Sequence, residues 1–274
     1  MNTLYTHIDE QQAAGAFTGQ SAVFDELYGA NTIINYKRER VRGHVLEYLK
    51  PGSSILELNC GTGEDAVYFA QKGFKVHATD LSAGMLNQAE QKVKKHQLND
   101  LVNFERCSYT RLDQLKISGP YDYIFSNFAG LNCTGELDKV LESFPSLLNP
   151  GGIITLVILP EFCLWETLFL FKGKFRTAFR RFFSANGRDA KIGDNHFKCW
   201  YYNPSYITRR LKDSFDVLNI EGLCTIVPPS YIEGFAEKHP KLFRSQVKWE
   251  NRLKTTWPWK YIGDYYIISF RKKV

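Results

Sequence analysis

At 274 residues, with 44% hydrophobic and 15% aromatic side chains, the chain can bury a full core as one large domain, or as a domain with one sizeable insertion. A net charge of +6 and a pI near 8.9 fall short of the profile of a dedicated nucleic-acid binder. Six scattered cysteines with no CxxC pair argue against a zinc site or a disulfide framework and read as reduced intracellular thiols. With no apolar N-terminal run and no stretch of membrane-spanning length, a cytoplasmic protein is expected.

Residues 1–20 are polar and weakly patterned, and are expected to form a flexible lead-in. From Ser21 to Tyr28 and from Asn31 to Leu49 the text becomes helical. Ile34, Val41, Val45 and Leu49 recur at helical spacing, with Lys37, Arg38, Arg40 and Arg42 on the other faces, and Pro51-Gly52 ends the run.

The stretch from Ser54 to Asp80 is the most informative. An apolar strand, Ile55 to Leu58, meets the turn Asn59-Cys60-Gly61-Thr62-Gly63. A helix-like run from Glu64 to Lys72 stops at Gly73, and a second strand, Lys75 to Thr79, ends in Asp80. Gly61 and Gly63, lacking a Cβ, permit a sharp turn and a close approach to a ligand. The helix start offers unpaired amides, and an acid at the next strand end can accept both hydroxyls of a ribose. This spacing argues for a nucleoside. A phosphate cradle needs a Gly-Lys-Ser/Thr ending, which is absent. The dinucleotide pattern Gly61-x-Gly63-x-x-Ala66 fits on spacing, but Glu64 and Asp65 at the helix start would repel a pyrophosphate and suit a cationic sulfonium better.

Ser82 can cap a helix carrying Met85, Leu86 and Ala89 to about His96. Residues 101–107 alternate as a third strand, and Tyr121 to Ser126 form a fourth that ends at Asn127. Gly135 to Leu148 is a helix with the stripe Leu137, Val140, Leu141, Phe144 and Leu148, and Ile153 to Leu159 is a fifth strand. Five strands alternating with helices predict a parallel, doubly wound α/β sheet.

Between Glu161 and Asp194 the pattern changes. Phe162 to Phe171 is almost wholly apolar, and Lys172 to Arg181 is strongly basic. Phe175, Phe179, Phe182 and Phe183 fall at helical spacing with Lys172, Lys174, Arg176, Arg180 and Arg181 largely opposite. A basic amphipathic helix of this kind lies at an anionic membrane surface, lines a greasy pocket, or packs as a lid with a solvated basic face. Downstream, His196 to Tyr202 reads as a short strand or extended lid segment, and Asn203-Pro204 opens a helix through Leu211. Phe215 to Ile220 is a sixth strand. Residues 228–256 are irregular and helical, packed through Phe235, Leu242, Phe243, Val247 and Trp249. Gly263 to Phe270 is a last strand.

Glu57-Leu-Asn-Cys-Gly-Thr-Gly63 resembles motif I of the class I S-adenosylmethionine (SAM)-dependent methyltransferases, small-molecule type. Ala78-Thr-Asp80-Leu-Ser82 with Met85 resembles motif II, and Leu148-Asn-Pro-Gly-Gly152 resembles the family's turn before the fifth strand. The resemblance covers about Tyr36 to Leu159 strongly and Asn203 to Phe270 more loosely. It implies a Rossmann-like, mostly parallel seven-stranded sheet whose late strand inserts antiparallel. It also implies a lead-in and helical cap over 1–50, a SAM-binding core over 51–160, a helical and aromatic lid over 161–200, and the rest of the core with a second insertion over 201–274.

The same resemblance implies SAM as cofactor, with S-adenosylhomocysteine as product. Glu57, Asn59, Cys60, Gly61 and Gly63 would form the turn beneath it, Asp80 would hold the ribose, and Leu81 and Met85 would lie against adenine. Tyr28, Tyr36 and Arg40 are candidates for its carboxylate, and Ser108, Tyr109 and Asn127 complete the pocket. Two departures stand out. Ser108 occupies the place where the family often carries an acid for the adenine amino group, and Asn127-Phe-Ala-Gly130 lacks the prolines of base-methylating enzymes. Methyl transfer from a sulfonium requires no metal or covalent intermediate, and alignment with exclusion of water supplies much of the rate. A protonated nucleophile needs a base, for which His196 has the suitable chemistry. Tyr109, Tyr201 and Tyr202 could line the acceptor pocket.

The leading expectation is an enzyme that methylates a small aromatic or lipophilic acceptor at O, N or C, with peripheral membrane contact through 162–183. An RNA or protein methyltransferase would call for a continuous basic surface, whereas the cations here are split among several segments. A NAD(P)-dependent oxidoreductase on a Rossmann sheet and a non-catalytic SAM-binding protein are the readings of another class.

Overall fold

The structure, a computed structural model, describes residues 3–182 and 184–274, with side chains from Ile8 onward. Residues 1–2 and Phe183, one of the aromatics of the basic segment, lie outside the described residues.

The helices are α1 (Thr3–Gln20), α2 (Phe24–Gly29), α3 (Thr32–Leu46), α4 (Glu64–Gln71), α5 (Ala83–Lys95), α6 (Leu137–Leu147), α7 (Leu164–Leu168), α8 (Phe175–Ala178), α9 (Pro204–Leu211), α10 (Phe235–Lys238) and α11 (Pro240–Leu253). The strands are β1 (Ser54–Leu58), β2 (Lys75–Asp80), β3 (Val102–Arg106), β4 (Tyr121–Ser126), β5 (Leu148–Ile158), β6 (Arg188–Ile192), β7 (Asn195–Cys199), β8 (Phe215–Leu223) and β9 (Tyr265–Lys272). Seven strands form one sheet in the order β3-β2-β1-β4-β5-β9-β8. The first five run parallel, and β9 inserts antiparallel between β5 and β8. The order reverses at β1 and β4, so their carboxyl ends open a crevice there.

The period-2 alternation of each strand sorts its side chains onto two faces. Ile55, Tyr123, Phe125 and Ile153 pack with Val41, Val45 and Phe69 on one side. Leu56, Leu58, Ile124 and Ile154 pack with Leu141, Phe144 and Ile207 on the other. Local caps agree with the text: Asn31 accepts from the amides of Ile33 and Ile34, each at 3.0 Å, and Ser82 accepts from Met85 at 3.2 Å.

Four expectations are corrected. Most of residues 3–20 form one long helix rather than a flexible lead-in. Its buried positions, Glu10, Ala13 and Ala16, are small or charged and leave no apolar stripe to read. The basic segment is not one amphipathic helix. Gly173 at φ +66° breaks it, leaving α7 and a 3-10 turn before it and α8 after. Arg181 does not face solvent with the other cations but is buried against Glu166 and donates to Asp264 at 2.5 Å, while Arg180 stays about half exposed and donates to Glu166 at 2.7 Å from the rim. Finally, Leu242 and Trp249 on α11 are about half exposed, at 51% and 50%, while Phe235, Phe243 and Val247 pack on the core.

The hairpin β6–β7 pairs Arg188 with Cys199 through Ile192 with Asn195. Only its second strand was legible. Phe17 of α1 meets Phe197 of β7 with ring centroids 6.0 Å apart, so the hairpin backs the N-terminal helix. Among the described residues no helix is long and apolar enough to cross a membrane. All six cysteines are buried and unpaired.

Candidate active site

At the end of β1 the chain turns through Asn59, Gly61 and Gly63, all at positive φ (49°, 57° and 75°). The turn is stitched from above and below. Thr62 Oγ1 donates to Asp25 of α2 at 2.6 Å, and Lys92 of α5 pairs with Asp25 at 2.7 Å and with Glu64. Arg42 donates to Asp65 at 2.6 Å, and Asn127 Nδ2 donates to the other oxygen of Asp65 at 2.6 Å. The two acids at the start of α4 are therefore paired, and their repulsion of a phosphate is weaker than the sequence suggested.

Above this turn lies a cavity of about 950 Å³, counting the space at its mouth. It sits at the carboxyl ends of β1 to β4, beneath α1, α2 and α3. Glu57, Asn59, Cys60, Gly61, Asp80, Leu81, Met85, Tyr109 and Asn127 all line it. Asp80 is held by two amides: Gly61 N–H donates to Oδ2 at 2.9 Å and Ser82 N–H to Oδ1 at 2.8 Å. Burial raises its carboxyl, and the backbone bonds pull it back. The Asn59 side chain is spent on structure, donating to Asn127 O at 2.9 Å and accepting from Ser126 at 2.6 Å. Gly130 must be glycine for the same reason, since a Cβ there would meet Asn59 Cγ at 2.2 Å.

The remaining sequence candidates are placed elsewhere. Tyr36 donates to Glu250 at 2.9 Å. Arg40 donates to Tyr36 at 2.9 Å and to Glu221 at 3.0 Å, so both side chains belong to a buried cluster away from the cavity. Tyr28 packs against Phe24 with the rings tilted by 57° and donates to Gln20 at 3.4 Å. Gly63 supports the turn without lining the cavity. Ser108 lies just behind the wall. His196 is exposed on β7 and lines no part of the cavity, which removes it as a base there. Tyr201 and Tyr202 open onto a second cleft, shared with Trp200, Tyr206 and Arg209. Tyr109 does line the cavity, but burial pushes its phenol well above the ordinary range, which disfavours a phenolate base there. Cys60 is likewise raised well above a reactive thiol by burial.

Residues outside the sequence candidates complete the walls: Glu10, Ala13, Ala14 and Phe17 from α1, Phe24 from α2, and Arg38 from α3, with Phe128 from the loop after β4. Three residues lining the cavity carry a buried polar atom with no hydrogen-bond partner among the described residues: Glu10 Oε1, Glu57 Oε2 and Arg38 Nε. Unsatisfied buried groups are costly and call for an explanation. The two acids and the arginine that carry these atoms all line the same cavity, which suits a ligand carrying both amino donors and a carboxylate. Burial and then the charge of Asp65 push Glu57 well above the usual carboxyl range, against the pull of Arg42. A cationic group beside it would reverse that shift.

Cys163, Glu166 and Asp264 also cluster closely enough to hold a cation. The Arg181 guanidinium already fills that place, donating to Glu166 at 2.6 Å and to Asp264 at 2.5 Å.

Residues 55–152 match a family model described as a methyltransferase domain. YqeM of Bacillus subtilis is 34% identical over 153 residues, covering 55% of this chain and 58% of that protein. Among solved structures, the [4+2]-cyclase SpnF superposes with a TM-score of 0.65 at 16% identity, over 97% of this chain and 96% of the other. Magnesium protoporphyrin IX methyltransferase of Synechocystis, with bound S-adenosylhomocysteine, gives 0.60 at 16% identity, over 97% and 100%. At such identities the structural likeness shows the fold. The chain spans about half the length of the curated relatives it matches.

Proposed function

We propose that the protein is a class I methyltransferase that transfers a methyl group from SAM to a small, lipophilic or aromatic acceptor, a reading supported by the match of residues 55–152 to a methyltransferase domain. The observation that carries this reading is the set of unpartnered groups around the Asp80 turn, acidic at Glu57 and basic at Arg38. When bound, SAM supplies an electrophilic methyl on a sulfonium, and its thioether departs neutral.

The chain's own residues divide the work. Glu57 holds the α-amino group, and Arg38, two residues before Arg40, holds the carboxylate. Asp80, fixed by Gly61 and Ser82, accepts from the ribose hydroxyls. Leu81 and Met85 flank the base. Phe17, Phe24, Phe128 and Ala14 present apolar surface to the acceptor, and α1 and α2 exclude water, so alignment carries the rate. A dinucleotide fits less well, because Glu57, Asp65 and Asp80 crowd one end of the cavity and mutually raise the Glu57 carboxyl.

The test is calorimetric titration with S-adenosylhomocysteine, with NADH and NADPH as controls. Micromolar binding of the first, lost in Asp80→Ala, supports the reading. Binding only to a dinucleotide overturns it.

Delivery of the acceptor involves a second surface. Phe171 and Phe175 are 89% and 62% exposed, beside the exposed cations Lys172, Lys174 and Arg176. An aromatic face ringed by cations is complementary to an anionic lipid surface, and we propose that this face docks on an anionic membrane. Flotation with anionic but not neutral vesicles, lost in the Phe171→Glu/Phe175→Glu variant, is the expected result. Equal recovery from both vesicle types rules the docking out.

A further inference from the structure

Glu10 projects from α1 and is only 3% exposed. One carboxylate oxygen, Oε2, accepts from the hydroxyl of Ser108 and, at 3.1 Å, from Thr110 Oγ1. The other, Oε1, is buried without a partner among the described residues, on a residue that lines the cavity. A buried acceptor in that state costs free energy that a donor bound in the cavity would recover.

Strand order says which part of a ligand reaches it. β3 lies outside β2 in the sheet, and the amide of Cys107 at the end of β3 donates to Asp80 O at 3.2 Å. A nucleoside whose ribose rests on Asp80 therefore carries its base toward the end of β3, where Ser108 and Thr110 hold Glu10. The Ser108 hydroxyl is already engaged with Glu10 and with the amide of Thr110 at 3.2 Å, so it positions the carboxylate rather than meeting the base itself.

We propose that Glu10 reads the base: its free oxygen accepts from the exocyclic amino group of adenine, and the N-terminal helix is thereby part of the nucleoside site. This rests on the SAM reading above. The acid absent after β3 is supplied from a helix 98 residues earlier in the chain. A purine with a carbonyl in place of the amino group would set two acceptors face to face and be rejected. Helix α1, already held through Ser108 and Thr110, would gain one further contact when an amino-purine is bound.

The experiment compares S-adenosylhomocysteine with its deaminated analogue, S-inosylhomocysteine, by calorimetric titration of the wild type and of Glu10→Gln. The wild type is expected to prefer the adenosyl compound by about tenfold to a hundredfold, the range for a hydrogen bond to a charged group. Glu10→Gln is expected to narrow or reverse that preference, because a carboxamide can donate to the carbonyl. Equal binding of both compounds by the wild type overturns the proposal whether or not the variant folds, and so does an unchanged preference in folded Glu10→Gln. If the wild type binds neither compound, the SAM reading falls, and this inference with it. Tight adenosyl binding without discrimination removes Glu10 alone.

Discussion

Gly63 stands against Ala89 so closely that a Cβ added to it would lie 2.8 Å from the Ala89 Cβ. The second glycine of the turn is thus required by packing of the turn on α5, as well as by its φ of +75°. Gly61, at φ +57°, faces open space. Gly63→Ala should therefore cost more than Gly61→Ala: strain plus a clash against a helix backbone, about 1–3 kcal/mol for each effect. Thermal melts of the two variants give the order. A Gly61→Ala loss equal to that of Gly63→Ala would show that backbone strain alone governs the turn.

Glu57 gives a prediction in which stability and binding move in opposite directions. Its carboxyl, with an ordinary value of 4.5, is raised well above that in the fold, first by burial. Between 4.5 and the raised value the folded state binds more protons than the unfolded one, so stability falls as pH rises through that window. Glu57→Gln should be more stable than the wild type at neutral pH, by about 0.5–2 kcal/mol as for other relieved functional sites. The difference should vanish below about pH 4. The same variant should lose S-adenosylhomocysteine affinity. Melts across pH, paired with titration, check both arms, and a variant less stable at neutral pH would refute the assignment.

What was legible follows from which signals are local. The strand-turn-helix-strand run from Ser54 to Asp80 could be read because glycine, an apolar strand and a terminal acid each have a local cause. Glu10 left no such trace: beside Asp9 in a polar helix it reads as solvated until its partners at Ser108 and Thr110 are brought to it. That Arg38 rather than Arg40 borders the cavity is not legible in the sequence, for a geometric reason. They are two residues apart, about 200° around a helix, and α3 is covered on more than one face, by the α2 side and by the sheet. The basic segment misled because helical spacing was counted across Gly173, and because Glu166 and Asp264, which draw the arginines inward, lie outside it.

Glu221 predicts the behaviour in acid. It is buried beside His44, whose Nδ1 lies at 2.9 Å, with Lys254 at 2.9 Å and Arg40 at 3.0 Å. Burial opposes its charge, but the bonds and charges of His44 and Lys254 prevail and hold the carboxyl down at about 2, from 4.5. With the folded value below the unfolded one, its contribution is full above about pH 4.5 and is lost as pH falls toward 2. Breaking a buried pair typically costs about 3–5 kcal/mol. Glu221→Gln should show a loss of that order at pH 7 that shrinks steadily on acidification. A gap independent of pH would mean that packing, not charge, sets the cost.

The pair of arginines on α3 separates binding from folding most sharply. Arg40 is locked between Glu221 and Glu250, and Glu250 in turn accepts from the amides of Cys224, Thr225, Ile226 and Val227 at 2.8–3.0 Å. Removing the guanidinium takes the shared cation from between two buried carboxylates, leaving Glu221 with His44 and Lys254 and Glu250 with the amides of that turn, so Arg40→Ala should lose about 3 kcal/mol of stability. Arg38 makes no such bonds through Nε. It lies 5.7 Å from the Phe128 ring centroid and borders the cavity. Arg38→Ala should leave the melting temperature within a few degrees while weakening S-adenosylhomocysteine by about tenfold to a hundredfold, the value of one charge-assisted contact. Measuring melting and affinity on both variants distinguishes the two roles. If Arg40→Ala loses affinity without losing stability, the carboxylate contact belongs to Arg40 after all, and the buried cluster around Glu250 must open when the cofactor binds.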